Sequence, residues 1–126
     1  MLPDFDDMID VANNIGNNKT LLALKEAELE QLLAEITNIV TDDVEFWVNE
    51  KPPSMAFIKS NYHLTGIDSE DNYPDYSKAI LRTLRLEIAQ LKGDLRRDEL
   101  LFQVYRDMIG VWRTQSANER GTFLEQ

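Results

Sequence analysis

The sequence predicts an all-α protein in which acidic N-terminal helices pack on one long C-terminal amphipathic, coiled-coil-like helix, and in which copies of the chain associate. Three observations predict this. Apolar residues recur in steps of three and four over two long stretches. Only 5 glycines and 4 prolines interrupt 126 residues, and 43% hydrophobic content supplies one core. The last periodic stretch is apolar on two sides, more than one small chain covers by itself.

The elements follow in order. Residues 1–17 read as a short helix and a linker: Phe5, Met8, Ile9 and Ala12 stand at helical spacing behind Asp4, Asp6 and Asp7, and Asn13-Asn14-Ile15-Gly16-Asn17-Asn18 is loop-like by composition. Residues 18–50 hold the first long helix and an extension. Leu22, Leu29, Leu32, Ile36 and Ile39 mark its buried face, and Glu26, Glu28, Glu30 and Glu35 its wet face. Val44–Asn49 fits either period, and with no strand to pair with it reads as helix or irregular chain. Lys51-Pro52-Pro53 is a stop, because proline lacks an amide proton and restricts its predecessor. Within 51–76 a short helix near Ser54–Tyr62 precedes a polar loop.

Residues 77–113 read as one helix, about 55 Å long at 1.5 Å per residue. Its seam is Leu81, Leu84, Ile88, Leu91, Leu95, Asp98, Phe102, Tyr105, Ile109 and Trp112, with one polar member. The phase runs through Gly93 without a reset, which argues against a hairpin there. Beyond Leu100 a second stripe of Leu101, Val104, Met108 and Val111 appears. The apolar seam residues are therefore the expected oligomer or partner interface, and 114–126 the expected tail.

Composition bounds the function. With no cysteine there is neither a disulfide framework nor thiol chemistry, and the acidic start is unlike a secretory leader, so a cytoplasmic protein is expected. The formal net charge of −10 is unevenly placed. Residues 1–75 carry 16 acids against 4 lysines, whereas 76–113 carry 8 lysines and arginines against 5 acids. Lys78, Arg82, Arg85, Lys92 and Arg96, continued by Arg106 and Arg113, form a row beside the seam. Such a row can track phosphates, or be a solvated face, or pair with the acidic helix. No aromatic row accompanies it to stack bases.

Catalytic and metal chemistry find little footing. His63 is the only histidine and reads as a turn residue. The segment from Asp68 to Asp75 resembles a calcium loop, but Tyr73 stands where that loop needs glycine and Ala79 where it needs the bidentate glutamate. Its acids instead solvate a loop, with Asp75 or Ser77 capping the long helix. Glu-x-x-Glu pairs, which all-α metal-dependent nucleotide hydrolases display, do not occur. No enzyme, cofactor, metal or small-molecule substrate is expected, and no membrane span. Trp47, Phe102, Tyr105 and Trp112 read as core aromatics.

The order of elements carries a further expectation. An acidic first helix, the piece Lys51-Pro-Pro-Ser-Met-Ala-Phe-Ile-Lys59, a polar loop and a long basic-striped helix together resemble, over residues 20–113, the phage-encoded recombination mediators of the UvsY type. The resemblance is one of architecture. It implies ring-like homo-oligomers that bind single-stranded DNA and assist a recombinase in recombination or replication. The candidate DNA contacts come from the charge row alone. The alternative is a helical adaptor or assembly protein that binds another protein and no nucleic acid.

Overall fold

A computed structural model describes residues 4–67 and 72–125, with side chains described to residue 115. Among the described residues four α-helices follow one another: α1 (Phe5–Asp42), α2 (Met55–Ser60), α3 (Tyr62–Thr65) and α4 (Lys78–Glu125), with 3-10 turns at Val44–Phe46 and Pro74–Tyr76. The chain is all-helical among the described residues, and α4 packs on α1. It divides into a terminal unit, formed by the described residues of Met1–Leu21 and Leu91–Gln126, and a central unit, Leu22–Gln90.

α1 is a single helix of 38 residues, so the expected linker at 13–18 is helical instead. The loop-favouring asparagines are overridden by phase. Met8, Val11, Ile15 and Asn18 continue the three–four spacing without a gap, and all four are half-buried. The Asp4 side chain opens the helix by accepting from the Asp6 amide at 2.9 Å. α1 closes at Asp42, before the extension that was expected to follow it to residue 50. There the Trp47 indole N–H donates to the Thr41 carbonyl at 2.9 Å, satisfying a last-turn acceptor.

The central unit holds the core. Ile36 and Val40 of α1, Ile58 of α2, Ile67 and Leu81 of α4 are fully buried together. Phe46, Tyr62, Tyr73 and Tyr76 pack around them, with Phe46 edge-on to Tyr62 at 5.7 Å between ring centroids. Tyrosine hydroxyls tie the unit across: that of Tyr73 donates to Asp43 at 2.6 Å and that of Tyr76 to Glu35 at 3.0 Å. Each carboxylate holds its phenol above the ordinary tyrosine range, and the Tyr73 hydroxyl in turn draws Asp43 below the usual carboxylate range. Val44–Asn49 opens with the 3-10 turn and is irregular after it, with Phe46 and Trp47 half-buried and Val44 and Val48 exposed. Val48 and Lys51 exchange both backbone hydrogen bonds around Asn49 and Glu50, whose φ values of 53° and 62° make a mirror-image tight turn.

Ser54 caps α2 by accepting from the Phe57 amide at 3.2 Å. Gly66 ends α3 at φ 70°, with its amide on the Tyr62 carbonyl, and a Cβ there would lie 2.7 Å from backbone atoms of Tyr76, Ser77 and Lys78. The acidic stretch 68–71, and with it most of the calcium-like segment, lies outside the described residues. The Ser77 hydroxyl faces the Ile80 amide at 3.5 Å, at the start of α4. The helix is unbroken at Gly93, as the seam phase requires, and runs to Glu125, so the expected tail is helical over 114–125. No helix among the described residues is long and apolar enough to cross a membrane.

Candidate interaction surfaces

The seam residues of α4 divide by unit. Leu81, Leu84 and Ile88 are buried within the chain in the central unit, Leu81 in its core beside Ile36, Val40 and Ile58. In the terminal unit Leu91, Leu95, Phe102, Tyr105 and Ile109 are only half-buried, and Trp112 is 47% exposed. There two helices share one seam, and a two-helix pair has no third wall to complete a core. The second stripe is barer still: Val104 is 51% and Val111 58% exposed, beside Leu100 at 60%.

Asp98, the polar seam member, is buried in that unit, with Arg97 Nε 3.7 Å from its carboxylate. Beside it Lys19 of α1 reaches Glu99 at 3.6 Å, which sets Asn18 of the α1 seam at the level of Asp98. A polar layer in an apolar seam specifies register at some cost in stability.

The basic row is shorter than its sequence implied. Lys78, Arg82, Lys92 and Arg96 are exposed, but Arg85 is half-buried and donates to the backbone carbonyls of His63 and Leu64. Those carbonyls lie at the end of α3, so Arg85 clamps the end of that helix. Lysines of α1 meet acids of α4: Lys25 pairs with Glu87 at 3.0 Å, and the Glu87 carboxylate holds the Lys25 ammonium above its ordinary range. Sequence spacing missed Lys19 and Lys25. Both stand at or beside the α1 seam, a position from which a register between antiparallel helices could have matched them with Glu99 and Glu87.

His63 does take a structural part. Thr37 spends its one hydroxyl proton on the Leu33 carbonyl at 3.0 Å, so His63 Nε2 donates to the Thr37 oxygen at 2.8 Å. Burial pushes the imidazole below its ordinary range. Among the described residues no three His, Cys, Asp or Glu side chains are grouped to hold a metal ion. What the surfaces can do is bind: an apolar stripe in the terminal unit, exposed cations on α4, and a groove in the central unit. Comparison with known protein families, curated proteins and solved structures finds no match.

Proposed function

We propose that this chain is a non-enzymatic interaction protein that assembles with copies of itself through the C-terminal part of α4. The exposed stripe at Leu100, Leu101, Val104 and Val111 carries the reading, since it lies beside a seam that its own unit leaves half-covered. Apolar arcs on two sides of one helix call for a second neighbour, and a symmetric partner copy is the commonest kind. Light scattering at micromolar concentration is expected to give a species well above the 14.6 kDa of one chain. The pair Val104→Glu and Val111→Glu is expected to return it to one chain without loss of helicity. A wild-type monomer at about 50 μM would overturn the reading, because an obligate interface of this kind saturates at about 1 μM or below.

A second reading, the phage-type accessory factor that binds single-stranded DNA, draws on the exposure of Lys78 and Arg82 in the central unit and Lys92 and Arg96 in the terminal unit. With roughly three or four phosphates neutralised per chain, the log–log salt slope is expected near −2 to −3. Changing those four residues to Gln should abolish binding while leaving the Arg85 clamp intact. Flat anisotropy with an oligonucleotide at low salt leaves the protein-adaptor reading in its place.

A further inference from the structure

One surface belongs neither to the self-association stripe nor to the basic row. In the central unit a groove of about 490 Å³ runs between α1 and the start of α4. Along α1 it is lined by Lys25, Glu28, Leu32 and Glu35, and along α4 by Ile80, Leu84 and Glu87, with Asp75 at one end. Both walls repeat at helical spacing. The α1 wall runs from Lys25 to Glu35, ten steps along the helix, about 15 Å or three turns.

Its floor is apolar and its rim is acidic. Leu84 is buried and Leu32 half-buried, but Ile80 is 44% exposed with nothing above it. Four carboxylates, from Glu28, Glu35, Asp75 and Glu87, face one ammonium, that of Lys25. Lys25 is shared between Glu87 at 3.0 Å and Glu28 at 3.8 Å, and Glu35 is held by Tyr76 and Gln31. These bonds orient the rim without neutralising it, and a net negative charge remains along the groove.

We propose that this groove receives a cationic amphipathic helix from a different protein. The walls are two helices whose free edge offers three turns of groove, which matches a third helix inserting apolar anchors at i, i+3 or i+4, and i+7. The exposed Ile80 needs an apolar ridge, and the carboxylate rim needs lysines or arginines flanking it. The same rim repels phosphate, so a nucleic acid is the wrong occupant. The net charge of −10 on the whole chain disfavours a second copy as the occupant, and its cationic stretch 76–113 is read out separately in the test below, through self-association. This inference does not depend on self-association.

The test uses the full chain and a fluorescein-labelled peptide of about 15 residues, four turns, with leucines at three and four spacing and lysines elsewhere. Saturable anisotropy is expected, and the same peptide with glutamates for lysines should not bind. Combining Glu28→Gln, Asp75→Asn and Glu87→Gln is expected to weaken binding at least about tenfold, the scale of losing more than one charge-assisted contact. Ile80→Ser should weaken it severalfold. An equal charge removal far along α1, Asp6→Asn with Asp7→Asn and Asp10→Asn, is expected to change affinity less than about twofold, because screening confines such charges to about 8 Å. A flat titration overturns the proposal, as does equal loss in the two triple variants. Loss of self-association in the groove variant would also overturn it, by showing that another copy fills the groove.

Discussion

At position 66 a single methyl group meets backbone on three sides. Gly66 sits at φ 70° and ψ −172°, a region essentially reserved for glycine, and its missing Cβ is what lets the end of α3 abut the start of α4. Gly66→Ala is expected to cost about 2–4 kcal/mol in urea denaturation, from strain and displaced backbone together. His63 gives a second expectation. Its folded-state affinity for a proton is lowered by burial, so the unfolded chain takes up the proton first as pH falls below about 6.5. Stability is full above that pH and declines as pH drops toward the lower folded value. Because His63 is the only histidine, the slope between about pH 7.5 and 5.5 belongs chiefly to it, and His63→Gln should flatten the denaturation midpoint across that window. Neither role was legible in the sequence. The partners of Arg85 and His63 lie 21 and 26 residues away, and nothing local marks them.

At the scale of elements, period proved more informative than composition. The seam from Leu81 to Trp112 passed through Gly93, and α4 is continuous there. A Cβ at Gly93 meets nothing within 4 Å, so Gly93→Ala is expected to stabilise by about 0.5–1 kcal/mol in thermal or urea melts. A loss of stability would mean that the backbone at 93 is not helical. The Asn-rich stretch 13–18 failed as a linker for the same reason that Gly93 failed as a turn. Burying Ile15 and Val11 outweighs a few tenths of a kcal/mol per asparagine. The proline stop and the candidate cap at Ser77 were legible because they act within three residues. The 3-10 turns and the paired positive-φ residues Asn49 and Glu50 were not, since glutamate is among the less favoured residues for such a turn.

At the scale of the molecule, the ties between α1 and α4 have a simple arithmetic. Glu35 and Tyr76 are 41 residues apart, Lys25 and Glu87 62, Lys19 and Glu99 80. The first two ties lie in the central unit and the third in the terminal unit. Closing the longest loop directly would cost about 0.6 kcal/mol more loop entropy than the shortest, a doubling of loop length. Among the described residues the fully buried ones all lie in the central unit. Amide exchange in dilute protein is accordingly expected to be slow near Leu84 and Ile88 and fast near Val104. Raising the protein concentration should slow exchange at Val104 selectively, since a second copy bound there holds shut the end that one chain leaves loose.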